Sequence, residues 1–115
     1  MANYHIAITD TLRKSGYTSN KQRNVNGTWR RINGLKKQYA KKGFPNAMLE
    51  RIYTREDSNN ADEETLAVEQ VTHVLMGAKG LHAGNQETHG DGWTEIFEVS
   101  QEQLTGYFGK AIQVC

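Results

Sequence analysis

The chain has 115 residues, 37% of them hydrophobic and 23% charged, a formal net charge of +1, and one cysteine, the terminal Cys115. No apolar run approaches the roughly 20 residues that span a bilayer, no basic flank with a long apolar core opens the chain, and one cysteine cannot close an internal disulfide. A single domain over residues 1–115, in a reducing cytoplasm and without a membrane partner, is the expectation.

Residues 3–9, NYHIAIT, alternate apolar and polar side chains and predict a first strand with Tyr4, Ile6 and Ile8 on one face. Residues 14–18, KSGYT, predict a short second strand. Gly16 within it predicts a bulge, or the close approach of a backbone or ligand. Residues 19–27 are polar and read as a loop. Thr28 then fits an N-cap for a basic helix over residues 29–41, with Trp29, Ile32, Leu35 or Lys36, and Tyr39 at apolar spacing. Gly43 fits the C′ position beyond it, and Pro45 prevents its continuation.

Residues 48–53, MLERIY, predict a third strand. A helix is expected over residues 61–76, ADEETLAVEQVTHVLM. At about 100° per residue, Ala67, Val68, Val71, Val74 and Leu75 share an apolar face, and Glu69 lies opposite. His73, four residues on, shares a stripe with Glu69. Such a pair is either the solvated side of the helix or a carboxylate and imidazole that can hold a divalent metal or move a proton. Residues 78–92, rich in Gly and His, read as a mobile loop. Residues 93–99, WTEIFEV, fit a short strand or extended edge. Ser100 with Gln103 is a capping-box pattern for a last helix over residues 101–114. These elements predict an α+β fold, a small, mainly antiparallel three-stranded sheet flanked by helices.

The near-neutral total hides a segregation. Residues 11–49 hold ten Lys and Arg and no acid, whereas residues 50–115 hold twelve acids against four bases. A basic half of this kind attracts a polyanion, and Arg23, Arg30, Lys36, Lys37, Lys41 and Lys42 are its candidate nucleic-acid contacts.

The order of these segments resembles the GIY-YIG nuclease superfamily, in its phage-type branch. Tyr4 in NYHI stands where the first-motif tyrosine stands, and Lys14-Ser15-Gly16 at the second motif, with Tyr17-Thr18 after it. Arg31-Ile32-Asn33-Gly34-Leu35 matches the arginine segment of the first helix. Glu69 matches the metal-ligating glutamate, His73 the histidine that follows it in this branch, and Trp93-Thr94-Glu95-Ile96-Phe97 the closing segment. The chain departs from the pattern in reading Ala-Asn-Tyr at the first motif, in Ser15, and in a longer loop before Arg31, which leaves Arg23 and Arg30 as alternatives for the arginine.

The resemblance implies a DNA endonuclease that uses Mg²⁺ or Mn²⁺ on Glu69. Arg31 would clamp the phosphate, Tyr4 would act as general base on water with its pKa lowered by Lys14, and His73 would orient water or phosphate. Without a separate recognition domain, specificity would come from loops or from a homodimer. Two other classes fit the same residues: a nucleic-acid-binding module that has lost the chemistry, and a small phage-type interaction or inhibitor protein that uses its acidic half.

Overall fold

The computed structural model describes residues 2–18, 25–54, 61–90 and 92–115, and side chains are described outside 25–29 and 61–62. Arg23 lies outside the described residues, as does the side chain of Trp29. The chain order is β1 (Ala2–Ala7), β2 (Leu12–Thr18), α1 (Val25–Lys41), β3 (Met48–Thr54), α2 (Ala61–Ala78), α3 (Gln86–His89), a 3₁₀ turn (Trp93–Glu95), β4 (Ile96–Glu98) and α4 (Gln101–Val114).

The fold is α+β, but the sheet has four strands rather than the three expected, in the order β3-β1-β2-β4 and antiparallel throughout. The extra strand is the end of WTEIFEV. Three residues of it turn extended after the 3₁₀ turn and pair with Leu12, Arg13 and Lys14. β2 therefore carries β4 only along its first half. A register shift between His5 and Ile6 on β1 leaves Glu50 of β3 as the extra residue of a bulge.

Alternation along β1 divides the interior in two. Tyr4, Ile6 and Ile8 face α1 and pack with Ile32, Leu35 and Tyr39, joined by Ala47 and Ile96. On the other face Asn3 donates to the Thr65 carbonyl of α2 at 3.1 Å, and His5 meets Phe108 of α4 edge-on at 4.9 Å. Val68, Phe108 and Ala111 close the contact between α2 and α4. Met76, Phe97, Val99 and Leu104 form a third cluster near β4.

α2 lies with a different face inward than its apolar periodicity predicts. Thr65, Val68, Glu69, Thr72 and Met76 are buried, while Val74 is 69% exposed. The sheet face under α2 is itself polar, carrying Asn3, His5 and Ser15, so a polar stripe is what it accepts. Thr72 satisfies its hydroxyl on the Val68 carbonyl within the helix, at 2.7 Å. Val71 is used sideways, against α4.

α1 begins four residues before the expected start, so Val25, Asn26 and Gly27 are helical and not loop. It ends as expected at Gly43, whose φ of 98° is a left-handed conformation that glycine adopts without strain. The segment expected to be a mobile loop over residues 78–92 is pinned at several points. Asn85 caps α3, His82 bridges Phe97, and His89 is buried, stacked on Phe44 and accepting the Asn85 N–H at 3.0 Å. α4 carries the expected capping box, with Ser100 and Gln103 bonded reciprocally. Among the described residues no helix is long and apolar enough to cross a membrane.

Candidate active site

Strand pairing sets Tyr4 opposite Gly16 and Ile6 opposite Lys14. Tyr4 and Lys14 therefore rise from one face of adjacent strands, two positions apart along them. The Tyr4 ring lies across Gly16, where a Cβ would fall 2.5 Å from the phenol Cζ and Oη. This is the close approach that Gly16 implied, made by the chain's own tyrosine, and the β1–β2 register runs through Gly16 without a bulge. Lys14 has its own clearance. Gly92, at φ 81°, would put a Cβ 2.6 Å from Lys14 Nζ. Two glycines thus make room for two of the candidate side chains.

Lys14 is fully buried, and its ammonium is ion-paired with Glu95, 81 residues away in the chain. Glu95 ends the 3₁₀ turn and immediately precedes Ile96, the β4 residue paired with Lys14. Arg13, the next base, is held by Glu50 at 2.7 Å and by the carbonyls of Asp10 and Val99, each at 2.7 Å. Two of the ten bases of the basic half are therefore neutralised inside the fold by acids from the other half. Arg30, Lys36, Lys37, Lys41 and Lys42 are exposed on and just beyond α1, with Lys42 also donating to the Glu87 carbonyl at 3.2 Å.

Arg31 is exposed on α1, and its charge acts on the Tyr4 phenol below it. Arg31 is the hydrogen-bonding and charged neighbour that pulls the phenol's pKa down, yet at ordinary hydrogen-bond geometry Tyr4 Oη is buried without a partner among the described residues. Burial pushes the Tyr4 pKa up to about 12 despite Arg31, and Glu95 and Glu69 add to the rise. The expectation that Lys14 lowers this value does not hold. Lys14 is committed to Glu95, and Arg31 is the cation that acts on Tyr4.

Glu69 is only 3% exposed and sits inside the molecule, not on the solvated side of α2. Its Oε1 has no hydrogen-bond partner among the described residues. Burial raises its pKa to about 8. Glu95 raises it further, while Lys14 and Arg31 pull it down. His73 Nε2 lies 3.6 Å from Glu69 Oε1 and 2.9 Å from the Ser15 carbonyl. Burial lowers the His73 pKa, so at neutral pH the ring is uncharged and donates Nε2–H to Ser15. His73 thereby ties α2 to β2 beside Gly16.

Tyr4, Lys14, Arg31 and Glu69 form one electrostatically coupled group. Two residues that belong to it carry no such signal in the sequence. Glu95 is only part of a closing segment there, and no local spacing pairs it with Lys14. Tyr39 supplies apolar spacing on α1. Its hydroxyl is fully buried and also without a partner among the described residues.

Glu69 would offer a hard divalent cation one buried carboxylate oxygen. A buried carboxylate oxygen without a donor, with a second carboxylate raising its pKa, is a place where a cation relieves both costs. Among the described residues no group of three or more His, Cys, Asp or Glu could hold a metal. Mg²⁺ commonly binds through one or two carboxylates and keeps its other ligands as water. Comparison of the chain with family models, with curated proteins and with solved structures gives no match.

Proposed function

We propose that the protein is a small metal-dependent DNA endonuclease of the GIY-YIG type, hydrolysing phosphodiester bonds with Mg²⁺ or Mn²⁺ held by Glu69. The observation that carries this reading is the buried Glu69 carboxylate coupled to Lys14, Arg31 and Glu95, in a group that also takes in Tyr4. A structural core gains nothing from a buried carboxyl group with an oxygen that lacks a hydrogen-bond partner in that place. The bound cation supplies Lewis-acid stabilisation of charge on the phosphate. Arg31, exposed and anchored on α1, offers a planar fork to a phosphate at the mouth of the site.

Tyr4 is protonated at neutral pH in this environment and can donate a hydrogen bond to a phosphate oxygen. Acting as a base on water would require its pKa to fall, and Arg31 is the side chain positioned to lower it. Lys14 holds Glu95 in place and offsets part of the charge around Glu69.

The test is incubation with plasmid in Mg²⁺ and in EDTA, beside Glu69→Ala. Wild type should cleave only with the metal, and Glu69→Ala should lose about 10²-fold or more of the rate while staying folded. A folded Glu69→Ala protein that cuts at the wild-type rate removes Glu69 from the chemistry. The raised pKa of Tyr4 favours one other reading, a module of the same fold that binds DNA without cutting it. It predicts salt-sensitive binding and no cleavage in either buffer.

DNA is the proposed partner in both cases, through the exposed bases of α1. Replacing Lys36, Lys37, Lys41 and Lys42 with Ala should weaken binding alike for all sequences. The slope of log K against log salt should flatten by about 0.9 for each phosphate that these lysines neutralise in the wild type. An unchanged slope in a binding titration places the DNA elsewhere.

A further inference from the structure

Tyr4 Oη, Tyr39 Oη and Glu69 Oε1 are three of the four side-chain atoms that are buried without a hydrogen-bond partner among the described residues. Two of the three are phenols in the same packed cluster, on β1 and α1, and Arg31 stands on α1 two turns before Tyr39. Arg31 and Tyr4 act electrically on Tyr39, which places its hydroxyl within the field of the site rather than in a remote part of the core. Burial raises the Tyr39 pKa, so its hydroxyl keeps its proton.

A core needs neither oxygen. Phe would fill the Tyr39 position with the same ring and no unsatisfied group. Two uncharged hydroxyls without a protein acceptor among the described residues, beside a guanidinium, are complementary to an anion with several oxygens.

We propose that Tyr39 is a second phenol of the site: the Tyr4 and Tyr39 hydroxyls donate to a phosphate group drawn in under Arg31, whose side chain swings outward to admit it. The inference rests on the nucleic-acid reading above but not on cleavage. It assigns Tyr39 to holding the phosphate, beside a cation on Glu69.

The experiment is thermal melting in EDTA of wild type, Tyr39→Phe and Tyr4→Phe, titrated with inorganic phosphate or with a short DNA duplex. Tyr39→Phe should melt at or above the wild-type temperature without ligand, because an unsatisfied hydroxyl has gone. It should nevertheless need about tenfold or more ligand for the same shift in Tm. Loss of affinity for both ligands assigns the pocket to the nucleic-acid backbone, and loss for inorganic phosphate alone assigns it to a free or terminal phosphate.

Wild-type affinity for both ligands in Tyr39→Phe overturns the proposal. So does a Tyr39→Phe protein that melts well below wild type, since its hydroxyl would then be satisfied within the core. A wild type that binds phosphate but cuts no plasmid sinks the nuclease reading and leaves this inference standing. A nuclease whose Tyr39→Phe form binds and cuts like wild type does the reverse.

Discussion

In EDTA, the stability of the protein should fall by about 2 kcal/mol between pH 6.5 and pH 8, and Glu69→Gln should abolish that fall. Glu69 has its folded pKa raised to about 8 from an ordinary 4.5. Between those values the folded chain binds a proton that the unfolded chain has lost. Stability therefore decreases as pH rises through the interval, by about 1.4 kcal/mol per pH unit. His5 acts in the opposite direction. Burial lowers its pKa to about 4, so between pH 4 and 6.5 the unfolded chain binds the extra proton and stability rises with pH. His73 and His89, whose pKa values burial also lowers, add to the His5 slope, so below pH 6.5 the histidines oppose the Glu69 slope, and only the Glu69 slope remains from there to about 8.

The whole penalty on Glu69 is on the order of 5 kcal/mol, a large share of what a domain of this size has to spare. Mg²⁺ should therefore stabilise wild type more at pH 8 than at pH 6 and leave Glu69→Gln unmoved. Urea unfolding across this range, with and without Mg²⁺, is the measurement. A flat wild-type profile above pH 6.5 would mean that Glu69 ionises normally and that its environment is wetter than its burial implies.

Why Glu69 could be singled out, yet be placed on the wrong side of its helix, has a physical cause. Periodicity reports which residues share a face, and Glu69 and His73 do share one. It does not report what lies across from that face. The partner surface here carries Asn3, His5 and Ser15, assembled from two strands more than 40 residues away in the chain. Signals carried by consecutive residues were legible: the Ser100–Gln103 capping box, the left-handed Gly43, the alternation of Tyr4, Ile6 and Ile8. Gly16 was legible as a close approach but not as to what approached. The order of residues 78–92 was not legible. It depends on Asn85 capping a four-residue helix and on His89 stacking against Phe44, 45 positions away. Composition presents the charge halves as separate surfaces, and Lys14–Glu95 and Arg13–Glu50 join them.

The Lys14–Glu95 pair should respond asymmetrically to the loss of either member. Lys14 is fully buried, whereas the Glu95 side chain is 28% exposed. Glu95→Ala leaves an ammonium inside the molecule with its partner gone, and breaking a buried pair in that way costs about 3–5 kcal/mol. Part of that cost is offset because Lys14 already acts on Glu69. With Glu95 absent, Lys14 has Glu69 as its remaining carboxylate, and the like charge that raised the Glu69 pKa has gone. A net loss of about 2–3 kcal/mol is expected, together with a Glu69 pKa that moves down toward the ordinary carboxylate range and a flatter profile above pH 6.5. Lys14→Met leaves a Glu95 carboxylate that reaches water, and places an apolar side chain of similar length beside Gly92. It should cost about 1 kcal/mol or less, and the Glu69 pKa should rise instead of falling. The two variants thus move the pH profile in opposite directions as well as differing in cost. Equal losses, or profiles that shift together, would show that Lys14 and Glu69 are not coupled, and Glu95 would then be a clasp for Lys14 with no bearing on the carboxylate beside it.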